Sequence, residues 1–327
     1  MNASTTTEAT PYKQKFTGYQ IFVIVLLSLL MFTVVVDFMV LSPLGAILMP
    51  RLHISAAQFS HVVSGYAFSA GAAGILAAGF ADRFDRKRLL IFFYIGFILG
   101  TVLCATAATY EYLLVARIIT GVFAGVIGSV SFAIIADLFT PQQRGTVMGF
   151  TQMSFSASQV LGIPIGLKLA TMFEWHAPFW MLVGFGIVLA VVIVIWLRPV
   201  NEHLAIRSDR NPLHHLFATM VHPRYWPAFL ATSVLATGGF MLMPFGSAFT
   251  VGNLGISWDS IWVLFLLTGL ISAAFGPLAG VLSDKLGKFP VFVVGSIITV
   301  TMVGIYTQFG VTPFWTCLLY TSDAADE

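Results

Sequence analysis

Polar and apolar residues follow one another along this chain in long blocks, not at the period of a strand or of an amphipathic helix. Nine apolar blocks run near 20–46, 57–80, 89–108, 111–138, 146–168, 178–197, 226–250, 258–280 and 289–309. Each supplies the roughly 20 residues that an α-helix needs to cross about 30 Å of hydrocarbon. A backbone in that medium must satisfy its own hydrogen bonds, which selects helices. The blocks therefore predict an all-α membrane protein with nine transmembrane helices. Most connections are short. The exception, Arg198 to Tyr225, carries four arginines and four histidines and separates six helices from three. The expected organisation is an N-terminal six-helix bundle over 1–200, a cytoplasmic linker over 201–225 and part of a second bundle over 226–316.

Composition agrees with that reading. The chain is 58% hydrophobic and 9% charged, against about 25% charged residues in soluble domains. The polar start, Met1 to Tyr19, precedes a block too long for a signal peptide, with no small-residue cleavage site after it. The placement of Lys and Arg sets the orientation. With a cytoplasmic N-terminus, the inner side holds Lys13, Lys15, Arg83, Arg86, Lys87, Arg88, Arg144, Arg198, Arg207, Arg210, Arg224, Lys285 and Lys288. The outer side holds Arg51 and Lys168, and Arg117 is intramembrane. Basic residues sit singly or in small groups between apolar blocks, which argues against a nucleic-acid partner. Cys104 and Cys317 form no disulfide framework. No metal-ligand spacing, phosphate loop or nucleophile–base pair is present, so no metal, cofactor or enzymatic activity is expected.

One short pattern occurs twice, 202 positions apart, each time where one block ends and the next begins. The first copy is Ala78-Gly79-Phe80-Ala81-Asp82-Arg83-Phe84-Asp85-Arg86-Lys87; the second is Gly280-Val281-Leu282-Ser283-Asp284-Lys285-Leu286-Gly287-Lys288-Phe289. A repeat of that length in a membrane chain predicts two pseudo-symmetric six-helix bundles, hence a parent of about 400 residues and twelve helices. The last residues, Cys317 to Glu327, read like a translated sequencing adapter. The sequence-based expectation is a natural chain that continues into a tenth helix begun at Val311 to Thr316.

Two charges stand inside the membrane, where an ionisable group is costly and faces a bundle interior or water. Asp37 lies seven to ten residues below the outer end of the first block, and Arg117 six below the start of the fourth. At 1.5 Å per residue these depths are roughly 10–15 Å and about 9 Å, so the two residues can be neighbours. Burial disfavours a charged carboxylate and a nearby guanidinium favours it, and that balance suits proton exchange. A static ion pair that only orders the bundle is the open alternative. Gly121 and Gly125 follow Arg117 on one helix face and either line a cavity or admit a neighbouring helix. Gln152, Ser156 and Gln159 form a polar stripe in the fifth block, suited to a substrate path or to interhelical hydrogen bonds. Phe240, Met241, Met243, Phe245 and Phe249 crowd the seventh, either as adaptable apolar wall or as lipid-facing filler. Asp137 and Arg144 stand together at the inner end of the fourth block in an expected cytoplasmic charge cluster.

These motifs resemble the major facilitator superfamily over residues from about 15 to 316. The second copy keeps the family's Gly280, Asp284, Lys285, Gly287 and Lys288, with Phe289 in place of the last basic residue. The first keeps Asp82, Arg83, Arg86 and Lys87, with Ala78 and Asp85 in place of glycines. Arg117 with Gly121 and Gly125 resembles the family's fourth-helix motif. Gly162, Pro164 and Gly166 resemble a shortened form of its antiporter motif, and the whole is similar to the drug and sugar efflux branch. The resemblance implies a monomeric multi-pass protein of the inner membrane that works by alternating access. It would exchange protons for a small organic substrate, using the proton gradient and no cofactor. It further implies that Asp82 and Asp284 steady the contact between halves, with helix eight meeting helix five. An uptake porter for a sugar or organic acid, and a non-transporting receptor or scaffold, remain open alternatives.

Overall fold

The computed structural model describes residues 16–201 and 221–311. The adapter-like tail and most of the linker lie outside the described residues. Every element within them is helical. In chain order these are α1 (Gly18–Arg51), α2 (Ala56–Phe80), α3 (Arg86–Ala105), α4 (Tyr110–Leu138), α5 (Pro141–Ala157), α6 (Ile163–Met172), α7 (Ala177–Trp196), α8 (Trp226–Leu242), α9 (Gly246–Gly252), α10 (Trp258–Leu286) and α11 (Lys288–Tyr306). Five of the described helices, α1, α3, α4, α7 and α11 from Phe289, are individually long and apolar enough to cross a membrane.

Polar residues at the block edges start the helices. Thr17 with Gln20 and Ser55 with Gln58 form reciprocal capping boxes at α1 and α2, which satisfy backbone donors that a first turn leaves free. The Asp85 carboxylate accepts from Arg88 N at 3.1 Å to cap α3, and Thr109 accepts from Tyr112 N to cap α4.

Three boundaries differ from the hydropathy reading. Helix α1 continues five residues past the apolar block, through Pro50 to Arg51, because a helix does not stop where its residues leave hydrocarbon. The fifth block is broken by a π-helical turn over Ser158–Gly162. Pro164 lacks an N–H and its ring crowds the carbonyl four residues back; a wider turn before it absorbs both effects. The seventh block is broken by a 3-10 turn over Met243–Phe245, which contains Pro244.

The packing has two centres. One, around Leu27, Leu30, Tyr94, Phe97, Ile127 and Ile134, draws on residues 16–197 among those described. The other, around Val36, Val40, Leu44, Phe59, Leu167 and Phe179, also takes in Phe245, Ile261, Trp262 and Phe265 from beyond the linker. The later helices therefore seat on the half of the first bundle remote from the N-terminus. Ser247 Oγ donates to Ser42 O at 3.2 Å there, and the Lys168 ammonium lies 5.0 Å from the Trp262 ring centroid.

Candidate coupling site

Asp37 and Arg117 meet inside the bundle. Arg117 Nη1 donates to Asp37 Oδ2 at 2.8 Å, and both side chains are 0% exposed. The pair is incompletely satisfied: Asp37 Oδ1 and Arg117 Nε and Nη2 have no hydrogen-bond partner. Tyr66 of α2 covers the guanidinium, with its ring centroid 4.0 Å from Arg117 Cζ. Cys104 and Thr120 complete the wall, with Sγ and Oγ1 3.7 Å apart.

Small residues bring the four helices this close. A Cβ on Gly121 would collide with Ser69 Oγ and the Tyr66 backbone, and one on Gly125 with the Ala70 carbonyl. Both glycines therefore serve the α2–α4 contact. Of the two readings the sequence left open, a cavity wall or a seat for a neighbouring helix, the geometry matches the second: the space beside each is occupied by α2. On the other side of α1, a Cβ on Gly162 would strike Val36, and one on Gly166 would come within 2.8 Å of Val40. The glycines of the antiporter-like motif thus let the fifth segment close on the two valines flanking Asp37. Pro164, between them, sits in the first turn of α6 after the π turn.

The polar stripe falls on the same segment. Gln152 and Ser156 are exposed on α5 and Gln159 is half-buried in the π turn. A Cβ on Gly269 would lie 2.9 Å from the Gln159 carbonyl, so α10 packs backbone to backbone against this turn. The helix carrying the second motif copy thereby meets the fifth segment. The side chains of Gly280, Asp284 and Lys285 lie outside those described; Gly287 adopts a positive φ of 94° that ends α10.

A second charge cluster sits at the N-terminal side of the bundle. Arg86 Nη2 reaches Asp82 Oδ1 at 2.6 Å and its Nε reaches Asp137 Oδ2 at 3.0 Å. Arg83 is exposed on the 3-10 turn between α2 and α3. Arg144 donates to the carbonyls of Ala136 and Phe139 at 2.6 and 3.1 Å, capping the end of α4. A pocket of about 520 Å³, lined by Phe173, Glu174, His176 and Trp180 among others, lies at the opposite helix ends.

The Major Facilitator Superfamily profile matches residues 27–322. The chain belongs to that superfamily. It is 30% identical over 271 residues to the uncharacterized MFS-type transporter YceJ of Bacillus subtilis (strain 168), covering 82% of this chain and 68% of that one. It is 30% identical over 152 residues to Multidrug resistance protein 3 of the same organism, covering 46% of this chain and 30% of that protein. Its fold is similar to a bacterial homolog of the human lysosomal transporter Spinster, solved in an inward-facing and unoccupied conformation. That likeness has a TM-score of 0.75 at 19% identity and covers 95% of this chain and 73% of the other.

A chain of this superfamily is a membrane transporter and not an enzyme, and the buried pair is read in that light. Asp37 and Arg117 stand out in the sequence as charges within apolar blocks, whereas Tyr66 carries no charge to mark it. Tyr66 lies ten residues into α2, at a depth of about 15 Å, so the same depth arithmetic identifies it. Cys104 and Thr120 carry no comparable signal in the sequence.

Proposed function

We propose that this protein exports a small organic substrate by proton-coupled alternating access, with Asp37 and Arg117 as the coupling pair. The observation that carries the reading is the pair itself: two opposite charges, both without solvent contact, with three polar atoms unsatisfied. Such an arrangement costs several kcal/mol of desolvation per ion. A purely structural contact would be served as well by apolar side chains, whereas a proton carrier requires a carboxylate whose partner is held within reach. The name of the 30%-identical multidrug resistance relative supports efflux.

The nine predicted blocks, each helical here, act as nine spans with the N-terminus in the cytoplasm. They belong to a pair of pseudo-symmetric bundles in a monomer. In this frame the later helices close the outer face, at Ser42–Ser247 and Lys168–Trp262. Residues 226–234 of α8 stand exposed, which is compatible with an arrangement open at the inner side. Gln152, Ser156 and Gln159 line the substrate path. The Arg86 cluster and the second motif copy at Asp284, Lys285 and Gly287 steady the inner contact when the arrangement reverses. Ethidium, a lipophilic cation, serves as a test substrate. Everted vesicles holding the protein should accumulate ethidium when their interior is acidified, and lose the gradient when an ionophore collapses the proton difference. Accumulation that ignores the proton difference would refute the coupling.

A further inference from the structure

The Arg117 guanidinium has a second electrostatic partner, the face of Tyr66, and that ring does not stand alone. It stacks on Phe38 with centroids 5.5 Å apart and an interplanar angle of 26°. Phe38 in turn meets Phe240 of α8 edge-on at 5.7 Å and 62°. Phe38 directly follows Asp37 on α1, and Phe240 lies three residues before the 3-10 break in the seventh block. We propose that Tyr66, Phe38 and Phe240 form a row of ring contacts that transmits the charge state of the Asp37–Arg117 pair to the seventh segment. This rests on the coupling role proposed above.

The argument starts from what remains when Asp37 takes up a proton. The neutral acid no longer balances Arg117, which stays charged in a dry site. The negative face of an aromatic ring attracts a desolvated cation, and Tyr66 already lies against it. Among the described residues, the other titratable group facing the pair is Cys104 of α3. The guanidinium therefore settles on Tyr66, and α1 loses its charged tie to α4. Tyr66 cannot follow α1 away, because its backbone is pressed against Gly121. Its hydroxyl donates to Val34 O at 3.5 Å, one turn before Phe38. Movement of α1 thus occurs as slippage of Phe38 across the fixed Tyr66 ring. The edge contact with Phe240 carries that slippage to a joint where Pro244 has already interrupted the helix. In a site closed to bulk solvent, protonation and the movement of the second half become one event.

The test uses spin labels on Ile21→Cys of α1 and Leu230→Cys of α8, both exposed near the inner helix ends, in protein reconstituted in phospholipid vesicles. The distance between labels is followed by pulsed electron resonance across pH, with protons the only ligand. Wild type should show two distances exchanging with pH. Tyr66→Phe, which keeps the ring, should shift the midpoint less than Tyr66→Leu. Tyr66→Leu should require more acid by about half to one pH unit, the scale of a desolvated cation–π contact. Phe240→Leu and Phe38→Leu should keep the pH midpoint yet reduce the distance change by more than half. Asp37→Asn should abolish the response. If Asp37→Asn still responds, the coupling reading itself fails. If Asp37→Asn is silent while the Leu variants at 38, 66 and 240 all behave as wild type, the coupling pair stands and the ring relay is refuted.

Discussion

The protein holds two Arg–Asp clusters built from the same chemistry in opposite surroundings. In the middle of the bundle, Asp37 and Arg117 are both 0% exposed, one charge against one, with three polar atoms left over. At the end of the bundle nearer the N-terminus, the inner edge in the proposed topology, Arg86 is 4% exposed but its partners are not sealed: Asp137 is 21% and Asp82 is 60% exposed. In that cluster one guanidinium reaches two carboxylates, the more exposed of which stays in contact with water. Exposed ion pairs contribute about 0–1 kcal/mol. Removing one partner from a buried pair costs about 3–5 kcal/mol, because the other charge is stranded. The exposed Asp82 contact with Arg86 can therefore break and re-form cheaply as helices move. The middle pair can separate only if a proton replaces the lost charge. On the reading proposed here, this difference suits the first to conformational adjustment and the second to coupling.

The largest expected effect comes from stranding a charge in the middle. Arg117→Leu should lower stability in detergent by about 3–5 kcal/mol, measured by unfolding with a denaturant. Adding Asp37→Asn should recover most of that loss. Strictly additive losses would show that the two residues do not act as a pair.

The next effect concerns the packing that brings Tyr66 over Arg117. Gly125→Val must push α2 away from α4 at Ala70 and should cost about 1–3 kcal/mol. Gly128→Val, one turn along the same helix with open space around its Cα, should stay within about 0.5 kcal/mol. Equal effects at 125 and 128 would remove the steric account of the site.

The smallest effects belong to the inner cluster. Asp82→Asn should change stability by less than about 1 kcal/mol, and Arg86→Ala by more, since it removes an ion-pair partner of both Asp82 and Asp137. High salt should shrink the Asp82 effect, because exposed charges are screened, and leave the Arg117 loss nearly intact. A salt-insensitive Asp82 would erase the contrast between the clusters.

How far the sequence revealed these sites depended on whether one dimension was enough. Depth along a helix follows from residue count, so Asp37 and Arg117 could be matched from hydropathy alone. Which neighbour fills the space beside a glycine does not follow, and Gly121 and Gly125 proved to hold α2 instead of lining a cavity. Motif spacing located both inner turns but not how each is made. At the second copy, Gly287 breaks the helix with a φ of 94°. At the first, Asp85 keeps an ordinary φ of −58° and ends the turn by capping α3. A glycine and a capping acid reach the same corner by different geometry, and only coordinates separate them. The π turn at Ser158–Gly162 was announced by Pro164, yet a hydropathy block registers a proline merely as one more tolerated residue. Tyr66 escaped notice because its role depends on the face of a ring, which no pattern of charge or period records.

The central claim is that Asp37 carries the exchanged proton. Its most direct test is proton movement out of acid-loaded everted vesicles on addition of ethidium, comparing wild type with Asp37→Asn at matched amounts of folded protein. Wild type should release protons in proportion to ethidium taken up. The Asn variant, which keeps the shape of the side chain but loses its charge and its exchangeable proton, should still bind ethidium and release no protons. Unchanged ethidium-driven proton release in Asp37→Asn would contradict the account and return the Asp37–Arg117 pair to a structural role.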